Sequence, residues 1–116
     1  SLACNSSFAY VESNRILEGE INPERFGFKL APKEAILGGD ANFNAQITRD
    51  IFSGKEEGAK RDIVLLNAAF ALFVDGNVRD IEEAIEIAKS GLDSGKANEH
   101  LKHMAKISQQ LSGSNA

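Results

Sequence analysis

Between Asp62 and Asp75 the chain reads DIVLLNAAFALFVD, and from Ile63 to Val74 every residue is apolar except Asn67. The length of the run and its alanines favour a helix over a strand, since Ala68, Ala69 and Ala71 are strong helix formers that let other backbone come close. A helix that is apolar on all sides, and not along one stripe, is expected to be buried. It is too short to span a bilayer, which takes about 20 apolar residues. The charged segments KEEGAKRD and DGNVRD flank it, so it reads as the core helix of a soluble protein, with KEEGAKRD a solvated link leading into it. An unpaired buried amide costs on the order of 1–3 kcal/mol, so Asn67 is expected to tie this helix to a neighbouring loop.

The other patterns are arranged around that helix. Ser7 to Glu12 is aromatic and β-branched, with Phe8 and Tyr10 on one face and Ala9 and Val11 on the other, as in a strand. Ser13-Asn14 turns the chain into a second strand, Arg15 to Ile21, interrupted by Gly19. Asn22-Pro23 starts a single helical or 3-10 turn that Gly27 ends and Phe26 pins to the core. Lys29 to Leu37 is irregular or weakly helical, broken by Pro32. Asp40 is placed to cap a helix with Asn44, Ile47 and Ile51 on one face, stopping at Gly54. Asp80 with Glu83 three residues on forms a capping-box pattern. Behind it Ile81, Ala84, Ile85, Ala88 and Leu92 repeat at helical spacing, marking an amphipathic surface helix. Ser94-Gly95 breaks it, and a last helix runs from about Lys96 to Leu111 with Ala97, Leu101, Met104, Ile107 and Leu111 predicted inward. The expected architecture is α+β and mostly helical: a short N-terminal hairpin followed by about four helices.

Charge and cysteine content narrow the function. A net charge of −4 over 116 residues offers no electrostatic footprint for nucleic acid or an anionic membrane. The single cysteine, Cys4, excludes an internal disulfide framework and suits a reducing compartment, with the cytoplasm as default. Leu2-Ala3-Cys4 has the outline of a lipoprotein cleavage site, but no apolar stretch precedes it. There is no initiator Met, and SLACNSSFAYVE enters in mid-pattern. That suggests a fragment, with the scar of a removed tag as the other reading of Ser1, and SGSNA a frayed or appended tail.

Candidate chemistry is sparse. Gly38-Gly39-Asp40 before a helix start could cradle an anion, but Asp40 already places negative charge there, so a structural cap is expected. His100 and His103 share a helix face beside Glu99, a metal-site geometry with no further ligand at suitable spacing. Cys4 has no basic neighbour in sequence and is expected to be a buried, inert thiol. Glu18 and Glu20 alternate with Gly19 and could act as paired acids, though a solvated strand face explains them, as a solvated helix face explains Glu82, Glu83 and Glu86. These residues assemble no active site. Either the chain is not an enzyme, or its catalytic half lies elsewhere.

Taken in order, EGEINPERFGF, LGGDANFNAQITRDIFSG, RDIVLLNAAFALFVDG and SGLDSGKA resemble the C-terminal end of the anthranilate phosphoribosyltransferase family. The shared words are a Pro-Glu-x-Phe-Gly turn, Gly-Gly-Asp followed by Asn-Ala, a Leu-Leu-Asn-Ala-Ala helix and an Asp-Ser-Gly-Lys-Ala break. They run in family order over nearly the whole chain. Phe70 and Phe73 depart from the family's usual Ala or Tyr, as volume changes in a packed helix.

The resemblance implies an N-terminal helical domain, a larger α/β domain and a homodimer. It also implies Mg²⁺-dependent transfer of a phosphoribosyl group from phosphoribosyl diphosphate to the amine of anthranilate. The family's Gly-Thr-Gly-Gly-Asp loop, Lys-His-Gly-Asn segment, anthranilate-binding Arg and metal-binding Asp-Glu pair have no match here. Residues 1–116 are therefore expected to be the C-terminal portion of the α/β domain, starting just past the last catalytic residue and inactive alone. No cofactor is expected on the fragment, no catalytic role falls on Ser1 or Leu2, and self-association is expected because the cut exposes apolar surface. Gly38, Gly39, Asp40, Asn44, Asn67, Ser94 and Gly95 match family words with structural roles. A fragment of a related nucleoside phosphorylase and a stand-alone helical interaction module are the alternatives.

Overall fold

The computed structural model describes residues 1–114. Strands β1 (Ser6–Glu12) and β2 (Arg15–Ile21) pair antiparallel, with Tyr10 opposite Leu17 and Phe8 opposite Gly19. Ser13 and Asn14 make the turn with φ of 48° and 64°, the doubly left-handed conformation whose twist matches that of the strands it joins. Period-two alternation puts Phe8, Tyr10 and Leu17 on one face and Ala9, Val11 and Ile16 on the other. Gly19 does not interrupt β2. It sits beneath the Phe8 ring, and a Cβ there would come within 2.8 Å of that ring, so the absent side chain makes room for an aromatic one.

The 3-10 turn Pro23–Phe26 forms as its residues dictate: the Asn22 side chain accepts from the Glu24 N–H at 2.9 Å, and Gly27 closes the turn at φ 81°. A second 3-10 turn spans Lys33–Ile36. Helix α1 is Ala41–Phe52, α2 is Ala59–Asp75, α3 is Ile81–Asp93 and α4 is Lys96–Ser114. Asp40 and Asp80 cap α1 and α3, each carboxylate accepting an N–H three residues on at 2.8 Å. Glu83 completes its half of the box one residue further back than expected, accepting from the Arg79 N–H at 2.8 Å.

Helices α2 and α3 pack on each other more extensively than any other helix pair. Leu65, Leu66 and Ala69 of α2 meet Ala84 and Ile85 of α3, and Leu2 and Phe28 close the cluster from outside the helices. Arg61 bridges Asp93 at 2.8 Å, fastening the start of α2 to the end of α3. The Lys60 ammonium donates to the Ala35 carbonyl at 3.0 Å, holding the second 3-10 turn against α2.

Four expectations need correction. Helix α2 takes in the residues AKRD, so the charged link is only 55–58. It is not buried all round: Asn67 and Ala71 are exposed and Val74 is 68% exposed, because this chain supplies partners for only part of its circumference. Asn67 ties the helix to no loop; its amide donates to the Ile63 carbonyl one turn back at 2.8 Å, the nearest acceptor for an amide facing water. Of the five α4 residues expected inward, Ala97 and Leu101 are partly covered, while Met104, Ile107 and Leu111 face outward, since the helix extends past α1 and α3.

Candidate functional site

The glycine pair before α1 is a structural knot. Asn44 accepts from the Gly39 N–H at 2.8 Å and donates to the Gly39 carbonyl at 2.9 Å. A Cβ on Gly38 would fall 2.3 Å from the Asn44 side-chain oxygen. With Asp40 accepting from Phe43, the Gly39 and Phe43 N–H groups are both engaged within the chain.

Ser94 and Gly95 end α3: the Ser94 N–H donates to the Ser90 carbonyl at 3.0 Å and the Gly95 N–H to Leu92 at 3.1 Å, with Gly95 at φ 79°. Only glycine adopts that conformation at little cost, and it redirects the chain into α4.

The remaining candidates do not converge. Cys4 is exposed and free; the short irregular lead-in before β1 buries Leu2 and leaves the thiol outside, contrary to expectation. Glu18 and Glu20 are exposed on β2, and His100, His103 and Glu99 are exposed on α4. Among the described residues no three His, Cys, Asp or Glu side chains gather as a metal cage.

Burial pushes the Asp62 carboxyl above the usual aspartate range, against the opposing pull of Arg61, Lys89 and Lys29. Glu83 moves the other way, its carboxylate held below the usual range by the backbone N–H and the guanidinium of Arg79. Both lie in the first turns of their helices.

A concavity of about 690 Å³ lies between the hairpin and α2, walled by Phe8, Tyr10, Leu17, Phe26, Phe70 and Phe73. The Tyr10 and Phe73 rings stand 5.8 Å apart, and Phe26 meets Phe70 edge-on at 6.3 Å. Arg79 and two carboxylates, Glu12 and Glu20, lie at its rim. It is an aromatic cleft with little to orient a polar substrate, and sequence reading missed it because its walls come from separate elements. Among the described residues no helix is long and apolar enough to cross a membrane.

Residues 1–98 match the family described as "Glycosyl transferase family, a/b domain". The chain is 42% identical over 108 residues to the anthranilate phosphoribosyltransferase of Rubrobacter xylanophilus, covering 93% of this chain and 32% of that protein. The enzyme of the same name from Acetivibrio thermocellus is 50% identical over 91 residues, 78% of this chain and 26% of the relative. One from Bacillus cereus is 39% identical over 115 residues, 99% of this chain and 32% of the relative. The chain thus spans about a third of the length of the curated relatives it matches. A match of that extent is not incidental: the chain belongs to the glycosyl transferase family, within its α/β domain.

Proposed function

We propose that these residues form the C-terminal portion of the α/β domain of an anthranilate phosphoribosyltransferase. In this reading the whole protein transfers a phosphoribosyl group from phosphoribosyl diphosphate to the amine of anthranilate, in the cytoplasmic synthesis of tryptophan, and works as a homodimer. The observation that carries the reading is the ordered set of family words along the chain, joined to identities of 39–50% with enzymes of that name.

The chain's own share is architectural. Its four helices and hairpin present an apolar flank built from α2 and the aromatic cleft, against which the catalytic part of the domain packs. In this reading Mg²⁺ and both substrates are held by residues outside this chain. Positioning of the two reactants then depends on how firmly this portion backs the site.

The test follows the loss of anthranilate fluorescence with phosphoribosyl diphosphate and Mg²⁺. The protein from the complete reading frame is expected to turn over, and the 116-residue chain is not. Turnover by the short chain would defeat the architectural role; failure of the long protein on anthranilate would defeat the substrate assignment.

A further inference from the structure

A second cleft, of about 530 Å³, opens between α1 and α4. From α4 it is lined by Asn98, Leu101, Lys102 and Ala105, whose spacing puts them on one helical face. Across from them stand Ala45 and Arg49, one turn apart on α1. Lys55 joins that wall because its N–H folds back onto the Asp50 carbonyl at 2.8 Å just past the helix end. Ala45, Leu101 and Ala105 form an apolar part of the lining, and the two alanines are too short to fill the space between the helices.

The charge around this cleft runs against that of the chain, whose net charge is −4. Arg49, Lys55 and Lys102 face one carboxylate, Asp50. All three cations are exposed, and none is ion-paired with a described residue. Asp50 is partly buried and already accepts from the Gln46 amide at 2.9 Å. Like charges gathered on one concavity repel one another, and an entering anion relieves that repulsion. The guanidinium fork and the two ammonium groups suit phosphate oxygens, and the partly buried Asn98 amide adds a neutral donor on the same face.

We propose that the cleft between α1 and α4 binds a small anion bearing two or more phosphate groups. Arg49, Lys55 and Lys102 hold the phosphates, and Ala45, Leu101 and Ala105 pack on the organic part. The volume favours a small molecule over an extended partner, since ligand pockets occupy roughly 300–1,000 Å³. The site stands apart from the transferase reading and does not depend on which acceptor the whole protein uses.

Amide NMR spectra of the protein from the complete reading frame test this, titrated at fixed ionic strength with sodium tripolyphosphate and separately with adenosine triphosphate. The amides of Arg49, Lys55, Asn98 and Lys102 are expected to move along one saturating curve in each titration, with the nucleotide bound more tightly. Equal affinities would overturn the role of the apolar lining. Arg49→Gln and Lys102→Gln are each expected to weaken binding roughly threefold, in line with the loss of one screened surface charge, at unchanged Tm. Asp50→Asn removes the opposing charge and is expected to tighten binding by a similar factor. Lys106→Gln, one turn further along α4 and outside the cleft, should leave it unchanged. Still amides in both titrations, or affinities indifferent to Arg49, Lys102 and Asp50 alike, would overturn the proposal. So would shifts at these amides caused only by a glutamate-rich peptide, which would mark an acidic protein partner.

Discussion

Asn44 holds the backbone of Gly39 from both sides, accepting from its N–H at 2.8 Å and donating to its carbonyl at 2.9 Å. One side chain on the first turn of α1 thereby fixes the loop that delivers the chain to its own helix. Asn44→Ala removes both bonds at an exposed site and is expected to cost about 1–2 kcal/mol, read as a lower Tm. Asn44→Asp keeps an acceptor for the Gly39 N–H and should recover part of the loss; equal Tm values for wild type and alanine variant would dismiss the knot.

The Phe8 ring fills the space over Gly19. Gly19→Ala is expected to displace the ring and destabilise by about 1 kcal/mol, as overpacking does. In a Phe8→Ala background the same change should be neutral or favourable. Urea denaturation of the four proteins in the cycle checks this, and additive effects would show that the pair is not coupled.

Stability should respond to pH through Asp62 and Glu83 with opposite signs. The folded Asp62 carboxyl has a raised pKa, so it holds its proton more firmly than in the unfolded chain. Its penalty is absent at low pH and develops as pH rises through and above the usual aspartate range. Asp62→Asn is therefore expected to match wild type near about pH 3 and to be more stable near about pH 7. Glu83 has a lowered pKa; its stabilisation is present above the usual glutamate range and disappears as pH falls through its folded pKa. Glu83→Gln should lose stability at neutral pH and converge with wild type in acid. Chemical unfolding across that span measures both.

Val11, Ile16, Val74 and Leu111 are each more than 60% exposed, on the hairpin, on α2 and on α4. Apolar residues spread over three elements are expected to make the 116-residue chain self-associate as concentration rises. Light scattering across a dilution series would show the mass growing, and a constant monomer mass at every concentration would contradict it.

Much of the local structure could be read from the chain because local chemistry decides it. Asn22, Asp40 and Asp80 cap where their spacing placed them, and Ser13-Asn14 turns the hairpin. Leu2 and Phe28 are core residues that no periodicity marks, being single apolar residues in irregular segments. The outward faces of Asn67 and Met104 were misread for a different reason. Helical pattern reports which residues want cover, whereas cover depends on neighbours, and this chain provides too few. The candidate chemistry suffered likewise: Cys4, His100 and Glu18 are soluble surface groups here, and only tertiary placement tells a surface acid from a catalytic one.

Helix α4 runs for 19 residues, about 28 Å at the usual rise of 1.5 Å per residue, and after Leu101 the residues from 102 to 113 are all exposed. Its outer turns hang from the body like an unsupported beam. Fraying must start at that tip and stop where Ala97 and Leu101 grip. Trypsin would accordingly reach Lys102 and Lys106 from that frayed end, paring back α4 while the core of the first three helices stays shut.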